Sequence, residues 1–392
     1  MKQQIKKTAR HLLSQLPESI QKTTINYYAK SKINQIDRLI TPKTLTIFIT
    51  NRCNERCDHC FHWQELNTPT AELSLEEIER LAHSLHKPAS ISFTGGEPFI
   101  RKDLPQVVQR FNQINNCRTF GIASNATLKN QTVQSCLEIL ETCDIDQLAV
   151  QVSIDGLNET HNRIRRVPQA FDRTMETLTA LVSLRDKFPH FKPAVNFCIL
   201  KENHNEIESF IKTLRPLNIP IRFTIVRGNS YGTYALPADV QAGIDPKETH
   251  CAELTIEELE AAYRLIDHLD RGAHGGFWTE TERQKIQTTL RMIRTGQRQL
   301  PCYNGRLEAV VYANGDFAMC ELTKPIGNLR NYDMDVREIW KSKAAQEMRK
   351  KISGCYCIHG CSIVTSLGLQ PDILHKKVLE LPTTQQPLKY RG

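Results

Sequence analysis

The sequence predicts an α/β fold in which six β/α repeats build a parallel sheet, with helices before it and a small α+β extension after it. Three observations carry this. Short β-branched and apolar runs alternate with amphipathic stretches of helical length between residues 45 and 226. Helical crossovers of that length require parallel pairing. A second region, residues 301–365, breaks the alternation with a hairpin signal and its own group of cysteines.

The first strand is expected over residues 45–50. Ser74 and Glu77 form a capping box that starts the next helix. Strands follow at 90–93, 119–124, 147–154, 193–200 and 221–226. Helices are expected from about residue 104, then over 131–140, 171–185 and 206–214. Residues 229–300 read as a connector of two helices, the first capped by Thr255 and Glu258. In the extension, Asn314-Gly315 reads as the two-residue turn of a hairpin, because both residues tolerate positive φ. A helix is expected over 336–348. The division is 1–42 (basic helical segment), 43–228 (barrel), 229–300 (connector), 301–365 (extension) and 366–392 (loose tail).

The net charge of +8 is uneven. Residues 1–40 carry eight Lys/Arg against Glu18 and Asp37, a local +6. The body is nearly neutral, so general nucleic-acid binding is not expected. In the first segment Ile5, Ala9, Leu12, Leu13 and Leu16 lie at helical spacing, Pro17 interrupts, and Ile25, Tyr28, Ile33, Ile36 and Leu39 continue the pattern. These stretches read as two helices packed on the barrel, or as an amphipathic anchor contacting an anionic membrane through residues 1–40. No apolar run approaches a membrane span, and no signal-peptide core is present, so a cytoplasmic location is expected. Thirteen cysteines in such a chain argue against a disulfide framework.

Eight cysteines fall in two groups, 53/57/60 and 302/320/355/357/361; Cys117, Cys136, Cys143, Cys198 and Cys251 are scattered and suit small buried positions. The first group has the spacing Cys-x3-Cys-x2-Cys and follows the first strand, where loops of α/β folds carry chemistry. Spacing alone leaves two readings open. One is a zinc site completed by His59 or His62. The other is a four-iron cube held by three thiolates, which leaves one iron open to a non-protein ligand.

Thr94-Gly95-Gly96-Glu97-Pro98 ends the second strand, and Val152-Ser153-Ile154-Asp155-Gly156 ends the fourth. With the cysteine loop, these motifs resemble the radical S-adenosylmethionine (radical SAM) family. The resemblance runs from about residue 45 to 227. It implies a partial (β/α)6 TIM-type barrel and a [4Fe–4S] cluster on Cys53, Cys57 and Cys60. The open iron would chelate S-adenosylmethionine (SAM). Reductive cleavage of SAM would give a 5′-deoxyadenosyl radical that takes a hydrogen atom from a substrate. The resemblance places His59 near the adenine. Gly95 and Gly96 would let backbone approach the methionine end, and Glu97 would accept from the methionine amine. Ser124, Asn125, Ser153 and Asp155 would face the sulfonium, carboxylate and ribose. Arg165, and more weakly Arg227, would meet the SAM carboxylate.

Cys302-x12-Gly315-x4-Cys320 and Ile326-Gly327-Asn328-Leu329 resemble the SPASM/Twitch extension of that family. Five cysteines there suit one auxiliary [4Fe–4S] cluster, the Twitch form. The expected ligands are Cys302, Cys320, Cys357 and Cys361, with Cys355 the spare and nearest competitor. The resemblance also implies a reductant such as flavodoxin or ferredoxin. It leaves the catalytic residues and the substrate open among small molecules, sugar or lipid head groups, and peptides. Ribosomal-peptide maturation is the alternative within the enzyme class, set lower because residues 1–42 are too short for a leader-binding domain. A non-enzymatic zinc or iron–sulfur scaffold is the alternative outside it.

Overall fold

The computed structural model describes residues 12–226, 233–234, 236, 239–242, 254–271 and 280–379. The barrel elements are β1 (Thr44–Thr50), α2 (Leu75–Ser84), β2 (Ser90–Gly95), α3 (Leu104–Asn115), β3 (Thr119–Ser124), α4 (Lys129–Thr142) and β4 (Gln147–Ser153). They continue with α5 (Asn158–Arg165), α6 (Ala170–Lys187), β5 (Phe191–Ile199), α7 (Ile207–Leu214) and β6 (Ile221–Ile225). A helix α1 (Glu18–Ile36) precedes them. β1 to β6 pair in sequence order, all parallel. The expected capping box at α2 is present, with Ser74 and Glu77 bonding reciprocally.

Alternation along the strands separates two faces. Ile91, Phe93, Phe120, Ile122, Leu148, Val150 and Val152 are buried in the main core. Their neighbours Ser92, Thr94, Gly121, Ala123, Ala149, Gln151 and Ser153 are half-buried. The opposite face is therefore small and mostly polar, which leaves room and hydrogen-bonding capacity above the strands' C-terminal ends.

After β6 come β7 (Thr233–Tyr234), α8 (Ile256–Arg271) and α9 (Glu280–Thr295). Thr255 and Glu258 bond reciprocally at the start of α8, as expected. The extension contains β8 (Glu308–Val311), β9 (Asp316–Ala318), β10 (Gly327–Asn328), α10 (Val336–Lys341), α11 (Lys343–Ile352), β11 (Tyr356–Cys357), α12 (Gly360–Leu367) and α13 (Pro371–Leu379). The sequence did not reveal how it joins the barrel. β8 pairs parallel with β1, and β9 and β10 add antiparallel, so one nine-stranded sheet runs β10-β9-β8-β1-β2-β3-β4-β5-β6. β11 pairs antiparallel with β7.

Four local expectations need correction. The hairpin turn spans residues 312–315 rather than two residues. Tyr312 N–H donates to Asp316 O and Gly315 N–H to Tyr312 O, and only Gly315 takes positive φ, at 87°. The helix expected over 336–348 breaks at Ser342, whose hydroxyl caps α11. The tail is not loose throughout, because α13 buries Ile373 and packs against α1. Along α1 the buried residues are Gln21, Ile25, Ala29 and Ile36, while Tyr28 is 51% exposed. The first expected helix lies mostly in residues 1–11, outside the described residues. No described helix is long and apolar enough to cross a membrane.

Candidate iron–sulfur and cofactor site

The cysteine loop leaves the end of β1 and is tied down on two sides. On one side, Cys53 N–H donates to Asn67 Oδ1 and Asn67 Nδ2 donates to Cys53 O, both at 3.0 Å. On the other, Asn125 Nδ2 donates to Asn54 Oδ1 (2.9 Å), and Asn54 Nδ2 donates to Thr127 Oγ1 (2.7 Å). Asp58 N–H donates to Ile164 O at 3.0 Å, which fixes the loop to α5. Cys53, Cys57 and Cys60 thus share one rigid loop at the C-terminal edge of the sheet. Burial pushes the thiol of Cys53 up to about 12, and burial raises Cys57 and Cys60 as well. Loading a metal there must therefore displace protons.

Arg165 is the hub beside the loop. Its Nη1 donates to Glu55 Oε2 at 3.2 Å and lies 3.5 Å from Cys57 Sγ; its Nη2 bonds Asp155 Oδ2. Asp155 also accepts from Cys198 N–H (2.9 Å) and faces His59 Nε2 at 3.3 Å. Burial opposes ionisation of Asp155, but Arg165, His59 and His161 outweigh it and hold the carboxyl below its ordinary value. At Glu55 burial wins over the same guanidinium, and the carboxyl is raised. Burial lowers His59, so its ring is held neutral more strongly than a free imidazole. Four buried polar atoms in this patch have no protein partner: Glu55 Oε1, His59 Nδ1, His161 Nε2 and Arg165 Nε. Such atoms are costly unless something polar meets them, and a cluster-bound cofactor with amine, carboxylate and ribose groups fits that requirement. Glu55 was not singled out from the sequence; its place between two ligands was the available signal.

Five of the other candidates have contacts within the protein that the sequence did not show. A Cβ on Gly95 would sit 2.5 Å from Thr50 O, and one on Gly96 2.1 Å from Arg52 O. These glycines let β2 approach the cysteine loop, through Gly96 N–H to Thr50 O and Glu97 N–H to Arg52 O at 2.8 Å each. At both positions the space without a Cβ is taken by backbone of the loop and of β1. Glu97 is 1% exposed and accepts from Phe99 N–H (3.1 Å), Ser124 Oγ (2.9 Å) and Asn125 N–H (2.7 Å). Burial pushes its carboxyl up to about 7, against the pull of those donors. Ser124 and Asn125 are likewise engaged with protein, as a clamp between β3 and the loop. Ser153 stays half-buried at the end of β4. Arg227 lies outside the described residues.

In the extension, the twelve described cysteines of the chain being free thiols, four of them line one pocket. Its wall includes Cys302, Cys320, Cys355 and Cys357, with Leu236 and Ile352. Cys361 is exposed and absent from that wall. The expectation names Cys361 with Cys355 as the spare, whereas the structure brings Cys355 to the wall and leaves Cys361 outside it. The reason is local: β11 keeps the chain extended through Cys357, so Cys355 and Cys357 share a side, whereas α12 starts at Gly360 and turns Cys361 outward. Four thiols around one space are the donor set of a closed four-iron cluster. Of the scattered cysteines, Cys117, Cys136 and Cys198 are buried and Cys143 is half-buried; Cys251 lies outside the described residues.

Comparison with known proteins places each cysteine group inside a matched region. Residues 47–214 match the radical SAM superfamily, and residues 302–362 match SPASM, an iron-sulfur cluster-binding domain. GTP 3′,8-cyclase of Staphylococcus carnosus is 27% identical over 276 residues, 65% of this chain and 76% of that protein. Fe-coproporphyrin III synthase of Methanosarcina barkeri is 31% identical over 174 residues, 44% of this chain and 41% of that protein. Molybdenum cofactor biosynthesis protein 1 of Dictyostelium discoideum is 29% identical over 184 residues, which is 46% of this chain and only 28% of that protein. Among solved structures, Streptococcus suis SuiB aligns with TM-score 0.58 at 16% identity, covering 83% of this chain and 71% of SuiB. At that identity the likeness is one of fold. The chain carries a radical SAM superfamily domain over residues 47–214 and a C-terminal iron–sulfur cluster-binding domain over residues 302–362.

Proposed function

We propose that this chain is an enzyme that binds a [4Fe–4S] cluster through Cys53, Cys57 and Cys60, and SAM beside it. The observation that carries the reading is the rigid three-thiol loop at the strand ends with Glu55 Oε1, His59 Nδ1 and Arg165 Nε left partnerless next to it. When bound, cluster and SAM supply one-electron cleavage to a 5′-deoxyadenosyl radical, which abstracts a hydrogen atom from the substrate. The chain's own residues do the rest. Arg165 and Glu55 present charge to the amino-acid end of SAM, and Asp155 holds both Arg165 and His59 in place. His59 and Ser153 flank the nucleoside. Gly95, Gly96, Glu97, Ser124 and Asn125 act one layer out, fixing the loop against β2 and β3.

Cys302, Cys320, Cys355 and Cys357 would hold an auxiliary [4Fe–4S] cluster, and four thiolates would leave no open iron for SAM. The half-buried Ser92, Thr94, Gln151 and Ser153 favour a polar substrate on the inner face. A peptide substrate is a second reading: one SuiB structure contains the precursor peptide SuiA and aligns with TM-score 0.55 at 16% identity. A low-potential carrier such as flavodoxin or ferredoxin supplies the electron, in a cytoplasmic setting that keeps the thiols reduced.

The test uses anaerobically reconstituted protein lacking the auxiliary cluster through Cys302→Ala and Cys320→Ala. Adding SAM should change the EPR spectrum of the remaining reduced cluster, because SAM ligates its open iron. An unchanged spectrum would contradict the site, and so would an equal response from Cys57→Ala protein.

A further inference from the structure

The two cysteine groups differ in the acids around them. The loop thiols lie among three buried acids, Glu55, Glu97 and Asp155; against these stand the Arg165 guanidinium, 3.5 Å from Cys57 Sγ, and the backbone N–H groups of Glu55, 3.5 Å from Cys53 Sγ, and of His62 at Cys60. The extension thiols have a comparable set of donors. Arg298, after the end of α9, places Nη2 3.5 Å from Cys355 Sγ. Asn304 is buried and donates from Nδ2 to Cys320 Sγ at 3.1 Å. The backbone N–H of His359 donates to Cys357. Glu321, next to Cys320 in sequence, is engaged with His359 Nε2. In this structure the sulfurs are free thiols, standing where cluster thiolates would be.

Reducing an iron–sulfur cluster adds one negative charge. Hydrogen bonds to its sulfurs and nearby cations stabilise that charge, and nearby carboxylates oppose it. Resting on the ligand set proposed above, we infer that Arg298 and Asn304 poise the auxiliary cluster at a less negative potential than the loop cluster, so that it takes an electron first. Neither residue is a ligand, and each acts through a ligand sulfur. Burial keeps water from screening the Asn304 contact, so its amide adds to the charge of Arg298 rather than duplicating it.

The test is a reductive titration followed by EPR, on fully reconstituted protein and on the Cys53→Ala/Cys57→Ala/Cys60→Ala variant, which isolates the auxiliary signal. The auxiliary signal should appear first in the full protein. Arg298→Gln should make that cluster about tenfold harder to reduce at fixed potential, or 59 mV for one electron. Arg298→Lys, which keeps the charge, should recover most of the shift. Asn304→Leu should shift the midpoint the same way by a smaller amount, and it serves if Arg298→Gln fails to hold iron. Two results overturn the inference while leaving the ligand reading intact: the loop cluster reducing first, or both variants keeping full iron with unmoved midpoints. Loss of all iron from the triple cysteine variant overturns the ligand reading as well, and iron analysis tells the two failures apart.

Discussion

Gly96→Ala probes the junction on which the whole site depends. The added Cβ would lie 2.1 Å from Arg52 O and 2.6 Å from Arg52 C, both backbone atoms that cannot rotate away. Clearing even a 3.0 Å contact moves β2 and the cysteine loop apart by about 1 Å. That separation breaks Glu97 N–H to Arg52 O and Gly96 N–H to Thr50 O, the two bonds joining them. Overpacking costs about 1–3 kcal/mol and each lost bond about 1 kcal/mol, so about 3–5 kcal/mol in all. Chemical denaturation of the apo protein reads this directly. Gly121→Ala is the control, since its Cβ would meet only Ser92 Oγ at 3.2 Å, a hydroxyl that can turn away; less than about 1 kcal/mol is expected there. SAM cleavage should fall about a hundredfold with Gly96→Ala, the scale for a 1 Å misplacement of a reacting group. If apo Gly96→Ala is as stable as the parent and only SAM affinity falls, the glycine serves the cofactor and the packing argument is wrong.

Three further outcomes follow. Fully reconstituted protein should hold roughly eight irons; Cys355→Ala should lose about half and Cys361→Ala almost none, and the reverse by iron analysis would restore Cys361 as the ligand. Glu97 is raised to about 7 from an ordinary 4.5, so the folded apo protein binds its proton more tightly than the unfolded chain does. Its contribution is fully present below pH 4.5 and is lost as pH rises through 7, by up to about 3 kcal/mol; the stability of the parent relative to Glu97→Gln should fall across that window, and a flat difference by denaturation would refute it. The basic N-terminal segment, with Tyr27 77% and Tyr28 51% exposed on α1, should float with acidic liposomes and not with neutral ones; equal binding to both, or none to the acidic ones, would leave α1 as a packing helix.

The barrel was legible because its signals are local. Period-two strands, helix caps and strand-end motifs are each set within a few residues, and all six strands appear near their expected places. What the sequence hid depends on distant pairing. The union of β8 with β1 joins residues about 260 positions apart, and no periodicity encodes it. The contact of Gly95 and Gly96 with the loop was hidden for the same reason: a missing Cβ shows that something comes close, and one close neighbour here is the chain itself. The exposed position of Cys361 was hidden because its spacing from Cys357 copies that of Cys53 and Cys57, while the helix starting at Gly360 changes where that spacing leads. Glu55 escaped notice because a lone acid between ligands has no period or motif, and its importance appears only once Arg165 arrives from α5.

The central claim is tested most directly by incubating the anaerobically reconstituted chain with SAM and a strong reductant and measuring 5′-deoxyadenosine. The account predicts deoxyadenosine and methionine in equal amounts, abolished by Cys57→Ala and retained by Cys361→Ala. A protein with a full complement of iron that makes no deoxyadenosine, or a Cys57→Ala variant that makes it at the parent rate, would contradict it.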